Sequence, residues 1–129
     1  MGTTAENVAK KYSIDRRAQQ EFAISSHNKA YEAQSKGKFQ KEITKINNCI
    51  KDGGIRFNSN QEILDSLKVI FDKNGTVTAA TSSPLTDGAA TTLVCEEQYA
   101  KDNKLEILGR IISTAVEGCD PDYMGLGPI

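Results

Sequence analysis

The sequence contains no tryptophan and has a negative mean hydropathy, although 38% of its 129 residues are hydrophobic. These values predict one modest domain with a thin core. It also contains a single histidine, His27. A general base needs a nucleophile within hydrogen-bond reach, and the sequence indicates no such partner, so we interpret His27 as a packing or surface residue.

Cysteine is also scarce. Cys49, Cys95 and Cys119 are widely separated and form no C-x-x-C pair. This spacing argues against a zinc-type metal site. An odd number of scattered cysteines favours a reducing intracellular compartment, and we expect a cytoplasmic protein, or an organellar one if the source is eukaryotic.

Long apolar runs and an excess of either charge are absent as well. No run approaches membrane-spanning length, and the first residues form neither a basic leader nor an apolar stretch, so we expect no membrane partner and no secretory signal. Sixteen basic and seventeen acidic residues leave a net charge of -1, without a basic stripe. We therefore expect no nucleic-acid partner.

The first third of the chain shows helical patterns. Thr3 and Glu6 fit a capping box at the start of a short helix that ends near Tyr12. Asp15 predicts the N-cap of a longer helix, and Gly37 its C-cap. Residues at steps of four, four and three predict the packing face of this helix: Phe22, Ser26, Ala30 and Ala33.

Strands are predicted in the remaining sequence, where β-branched residues cluster. They are expected near Ile43 and Ile46, at residues 76–78, at residues 91–94, and around residues 110–112. A loop at residues 47–60, a helical turn at residues 63–67 and a helix at residues 96–103 complete the pattern. Together these elements predict an α/β fold with an irregular middle.

The most informative stretch is GTVTA at residues 75–79, followed by LTDGAA at residues 85–90. It reads as a strand, a turn of small hydroxylated residues, and a glycine that allows close backbone approach before another strand. A tight corner between strands explains this pattern, and considered alone it is the simpler interpretation. A loop that lets an elongated ligand lie against the main chain explains it too.

The sequence resembles the thiolase family from Met1 to Ile129, and its motifs keep the family's order. These motifs are MGTTAENVA at 1–9, Phe22-Ala23 with Ser26, Gly37-Lys-Phe39 with Glu42-Ile43, Phe71 before residues 75–79, Leu85 with DGAA at 87–90, Gly109-Arg110, Asp120-Pro121, and MGLGP at 124–128. Two positions depart from the family pattern: Thr81 replaces a usual asparagine, and Ile63 stands where some members have serine.

The resemblance implies a helical loop domain at residues 1–75 that covers coenzyme A, followed at residues 76–129 by the end of the N-terminal core domain. The core part would supply strands of an incomplete βαβ unit. The resemblance also implies coenzyme A or acyl-CoA as substrate, no tightly bound cofactor, and assembly with other thiolase chains as a homo-oligomer.

Coenzyme A-binding residues are also implied by the resemblance. Arg56 would pair with phosphate or stack on adenine, and Phe71 would pack on the ligand. Ala79, Ser83 and Leu85 would line the pantetheine, with Ser83 as hydrogen-bond donor. Met124 would lie near the reactive end of the pocket.

No catalytic residue is implied within the chain. Thiolases transfer an acyl group through a cysteine thiolate, assisted by a second cysteine, a histidine and an asparagine-held water. By resemblance, the nucleophile belongs upstream of Met1 and the other groups downstream of Ile129. We therefore expect a thiolase fragment that cleaves or forms no 3-ketoacyl-CoA by itself. The alternative is a non-catalytic module that binds coenzyme A or associates with thiolase chains.

Overall fold

The computed structural model describes all 129 residues and divides them into two compact units. The first unit comprises Met1–Pro84 and Cys119–Ile129, and the second comprises Leu85–Gly118. None of the helices combines the length and apolar character needed to cross a membrane.

Helix α1 spans Gly2–Lys11, with Met1 as its N-cap. The predicted capping box is wrong. The Thr4 hydroxyl donates to the Met1 carbonyl at 2.7 Å. Glu6 accepts instead from Thr76 and Val77, which lie far along the chain. On another face, α1 packs against a 3₁₀ segment at Pro121–Leu126, where the Asn7 side chain donates to the Asp122 carbonyl at 3.1 Å.

Helix α2 spans Arg16–Ser35, and its predicted ends are confirmed. Asp15 Oδ1 accepts from the Ala18 amide at 2.7 Å, which satisfies one of the donors left free in the first turn. Gly37 follows the helix with a φ of 67°, the left-handed conformation that glycine adopts at helix C-termini. Its amide donates back to the Gln34 carbonyl at 3.0 Å.

The predicted packing face of α2 is wrong in its first half. Phe22 is 77% exposed, and Ser26 is exposed as well. Polar residues point inward instead: Gln20 is only 1% exposed, and Arg16 and His27 are half-buried. Each of these three has a hydrogen-bond partner elsewhere in the unit, which offsets part of the cost of burial, although Arg16 Nε and Gln20 Nε2 are buried without a partner.

Helix α3 spans Gln61–Asp65 and corresponds to the predicted helical turn. Asn60 caps it by accepting from the Ile63 amide at 2.9 Å. α3 packs on α2, as does a 3₁₀ turn at Ala79–Thr81. The core is thin, as expected from the hydropathy. The buried hydrophobic residues of the whole chain are Ala9, Leu64, Val77 and Ala100.

The predicted strands are absent, so the strand part of the α/β prediction is wrong, and every regular element of the chain is a helix. Residues 76–78 contribute a single antiparallel bridge between Val69 and Thr78, and Ile46 bridges only to Cys49. A strand requires a ladder of backbone hydrogen bonds to a neighbour, and β-branched sequence cannot supply that neighbour.

The second unit contains helix α4 at Glu97–Asp102, which confirms the helix predicted in this region. Glu97 forms exposed ion pairs with Lys101 and Arg110. Within this unit, residues 85–95 and 106–118 form no backbone–backbone hydrogen bonds. The strands predicted at 91–94 and around 110–112 are therefore irregular, because no partner within the unit pairs with them.

Candidate functional site

Arg56 lies in the irregular segment between α2 and α3, and its side chain is exposed. Its backbone amide donates to His27 Nδ1 on α2 at 3.2 Å, so His27 holds the segment that carries Arg56. Beside it, the Phe57 ring stacks on Tyr31 of α2 with ring centroids 5.2 Å apart. The guanidinium of Arg56 has no hydrogen bond or ion pair within the chain, which leaves its donors available to an anionic ligand.

Phe71 lies against the start of α1. A Cβ atom built on Gly2 would fall 2.2 Å from the Phe71 ring, so the ring covers a position that only glycine can occupy. The ring remains 50% exposed. One face of Phe71 therefore packs on α1, and the rest of the ring is open to a partner.

The Ala79–Ser83 loop begins in the 3₁₀ turn that packs on α2. The Thr81 hydroxyl accepts from the Thr78 amide at 3.0 Å, and the Ser82 hydroxyl donates to the Thr78 carbonyl at 2.9 Å. Ser83 is exposed, and its side chain makes no hydrogen bond within the chain. The loop is thus anchored at Thr78, while the hydroxyl of Ser83 is available as a donor.

Met124 and Leu85 occupy different surroundings. Met124 is 46% exposed and belongs to the 3₁₀ segment that packs on α1. In the same segment, the Tyr123 ring lies 4.0 Å from Lys11 Nζ, a cation–π contact that also joins the segment to α1. Leu85 is the first residue of the second unit, and its side chain is fully exposed.

Five of the six predicted residues lie on segments attached to helix α1 or helix α2, and Leu85 is the exception. The Arg56 segment and the Ala79–Ser83 loop are both attached to α2, whereas Phe71 and the Met124 segment lie on α1. A cleft of about 680 Å³ lies between α1 and residues 71–76, and Phe71 is among its lining residues. Arg56, Ala79, Ser83 and Met124 do not line that cleft.

Sequence reasoning missed the residues that hold these segments in place. Glu6 of α1 and Gln19 of α2 both bind Thr76, and Gln19 Nε2 donates to the Thr76 hydroxyl at 2.7 Å. No local pattern in the sequence predicts contacts between residues that lie 57 or 70 positions apart along the chain. Glu6 was singled out only as half of a local capping box and as part of the MGTTAENVA motif, and neither pattern indicates a contact with Thr76.

The three cysteines and the single histidine form no hydrogen bond with one another. All three cysteines are exposed and unpaired, and the single histidine uses Nδ1 to accept from the Arg56 amide. The hydrogen bond to Glu21 raises the pKa of Arg17, an exposed residue of α2. None of these side chains forms a nucleophile–base pair in this structure.

Residues 1–98 match the family model described as the thiolase N-terminal domain. The chain belongs to the thiolase family. Among curated thiolases, it is 45% identical over 137 residues to an acetyl-CoA acetyltransferase of Shinella zoogloeoides, which covers 100% of this chain and 35% of that protein. It is also 45% identical over 139 residues to a 3-ketoacyl-CoA thiolase of Idiomarina loihiensis, which covers 100% of this chain and 36% of the relative.

Solved thiolase structures have the same fold as this chain. The crystal structure of the Bacillus anthracis acetyl-CoA acetyltransferase superposes with a TM-score of 0.91 at 38% identity, covering 98% of this chain and 34% of that one. The dimeric peroxisomal thiolase of Saccharomyces cerevisiae gives a TM-score of 0.91 at 40% identity, over 99% and 34% of the two chains. The fold is thiolase-like, which confirms the resemblance, and the chain spans about a third of the length of the thiolases it matches.

Proposed function

We propose that this chain supplies the coenzyme A-binding part of a thiolase and has no catalytic activity by itself. The parent reaction is thiolytic cleavage of a 3-ketoacyl-CoA, or its reverse condensation, through an acyl-cysteine. In this assignment residues 1–75 form the loop domain over coenzyme A, and residues 76–129 form the end of the N-terminal core domain. Membership of the thiolase family supports this proposal.

The observation that carries the proposal is that the polar groups of the Arg56 and Ser83 side chains are free to bind a ligand. Both are exposed and lack a partner within the chain, although each lies on a segment anchored to buried structure. A guanidinium binds phosphate with charge-assisted hydrogen bonds, and a hydroxyl can donate to an amide carbonyl of pantetheine. Ala79, Leu85, Phe71 and Met124 would add apolar contacts along the ligand.

Calorimetry with coenzyme A and with pantetheine tests the assignment residue by residue. Arg56→Gln should weaken coenzyme A binding by about tenfold and leave pantetheine binding unchanged, because only the nucleotide end carries phosphates. Ser83→Ala should weaken both ligands. Arg17→Gln removes an exposed arginine from α2 and serves as the control. Absence of heat with millimolar coenzyme A, or an equal loss in the Arg17 variant, would exclude the proposal.

A second candidate is a module that associates with thiolase chains. It is favoured by the second unit, where residues 85–95 and 106–118 lack backbone partners and expose apolar side chains such as Leu93, Val94 and Ile112. Segments of this kind pair readily with other chains. The Saccharomyces cerevisiae thiolase is itself described as dimeric. Light scattering that reports a strict monomer at all concentrations would exclude this candidate.

A further inference from the structure

Glu6 of α1 makes a set of contacts outside its own helix. Its Oε1 accepts from the Val77 amide at 2.8 Å and from the Thr76 amide at 3.0 Å. Its Oε2 accepts from the Thr76 amide at 3.0 Å and from the Thr76 hydroxyl at 3.2 Å. Neither amide has a backbone acceptor. The Glu6 carboxylate therefore accepts from both amides of the dipeptide Thr76-Val77, which would otherwise be unpaired although Val77 is buried.

Gly75 makes this approach possible. A Cβ atom at position 75 would lie 2.3 Å from Glu6 Oε1 and 2.6 Å from its carboxyl carbon. These distances are far shorter than van der Waals contact, so a side chain at position 75 and the Glu6 carboxylate cannot occupy their present places together. The pairing of Glu6 with Gly75 is thus a steric requirement as well as a set of hydrogen bonds.

The dipeptide held by Glu6 leads directly into the Ala79–Ser83 loop. Thr78, the next residue, is completely buried, and it anchors the loop through Thr81 and Ser82. From the opposite side, Gln19 of α2 donates to the same Thr76 hydroxyl that donates to Glu6. Because only one bridge pairs this segment with other backbone, these side-chain contacts from α1 and α2 set where the loop lies.

We propose that Glu6 is a positioning residue for coenzyme A, which fixes residues 75–77 so that the Ala79–Ser83 loop is presented to the pantetheine. The inference rests on the proposed function for the identity of the ligand. Glu6 itself touches no ligand in this scheme. Its contribution is to keep the loop ordered before binding, so that the ligand does not have to order it.

Hydrogen exchange at the Thr76 and Val77 amides, measured together with coenzyme A affinity, tests the proposal. Glu6→Gln leaves one neutral oxygen, a weaker acceptor than the carboxylate, and places an NH₂ donor against the Thr76 amide. Both amides should therefore exchange about tenfold faster, and coenzyme A should bind about tenfold more weakly. Glu21 is an exposed glutamate of α2, so Glu21→Gln is the matched control and should change neither quantity.

Gly75→Ala examines the same contact from the other side and leaves Glu6 in place. In the wild-type background the added methyl group should displace the carboxylate and weaken coenzyme A binding. In a Glu6→Ala background there is room for the methyl group, so Gly75→Ala should cost markedly less. Strictly additive losses of affinity would show that the two residues act independently and would overturn the proposal.

The arms of the experiment separate the possible failures. If the wild-type chain binds coenzyme A and Glu6→Gln accelerates exchange without changing affinity, Glu6 is purely structural and the inference fails. Unchanged exchange at Thr76 and Val77 would overturn the contact itself. If the wild-type chain binds no coenzyme A, the proposed function fails and the positioning role fails with it, whatever the exchange rates show.

Discussion

At the scale of single residues, Arg16 joins α2 to the end of α3. One guanidinium nitrogen donates to the carbonyls of Leu64, Asp65 and Leu67 at 2.9, 3.1 and 2.6 Å. These carbonyls lie at a helix C-terminus, where acceptors lack partners within the helix and the dipole favours a cation. Arg16→Lys should cost about 2 kcal/mol of unfolding free energy, because the lysine side chain is shorter and its ammonium cannot reach all three carbonyls. Urea denaturation monitored by circular dichroism measures the loss.

The next residue supplies the control for that prediction. Arg17 is exposed and pairs only with Glu21, four residues along the same helix. Exposed ion pairs of this kind contribute little to stability. Arg17→Lys should therefore leave the urea midpoint where it is. Equal shifts in the two variants would mean that the carbonyl contacts of Arg16 do not stabilise the unit.

Residue-scale features were predictable from sequence where the partner is close along the chain. Asp15 and Gly37 act within one turn of α2, so their residue types were sufficient to place them. Glu6 was misassigned because a local capping box and a distant pair of backbone N–H donors suit the same carboxylate acceptor. The six ligand-binding residues came from family resemblance alone, and their role remains a prediction.

At the scale of elements, the start of α2 offers a second test of stability. The Asp15 carboxylate accepts from the Ala18 amide, and Asp15→Ala removes that acceptor. The variant should lose about 1 kcal/mol of unfolding free energy, the usual cost of deleting an N-cap. Asp15→Asn retains a capping oxygen and should keep most of the stability. If Asn and Ala are equally destabilising, the charge on the helix dipole, rather than the capping bond, is responsible.

Helices and strands differed in how well the sequence predicted them. A helix closes its hydrogen bonds within itself, so local sequence patterns were enough to predict α1, α2 and α4, although the capping box predicted for α1 was wrong. The β-branched residues at 91–94 and 110–112 have the side chains of strands, yet they form no ladder within the second unit. The packing face of α2 was predicted wrongly for a related reason. Its buried or half-buried polar residues, Arg16, Gln20 and His27, form hydrogen bonds with residues far along the chain.

At the scale of the whole molecule, little apolar surface is buried and much is exposed. Few hydrophobic residues are buried, whereas Leu108, Ile112 and Val116 are 90%, 84% and 98% exposed. Burial of apolar area is the dominant favourable term in folding and association, so such a chain gains stability by covering these side chains. The thin core was predictable from composition; the location of the uncovered surface required the structure.

This surface leads to a prediction about association. Size-exclusion chromatography with light scattering should give an apparent mass above the 14.1 kDa monomer that rises with concentration, or the chain should be poorly soluble. Ile112→Lys should reduce association, because charged residues on unpaired segments block edge-to-edge pairing. Phe22→Lys changes an equally exposed hydrophobic residue on α2, whose backbone is already hydrogen-bonded, and should have little effect. A sharp monomer peak for the wild-type chain contradicts the prediction. An equal response to both lysine substitutions would attribute association to general surface hydrophobicity and not to the unpaired segments.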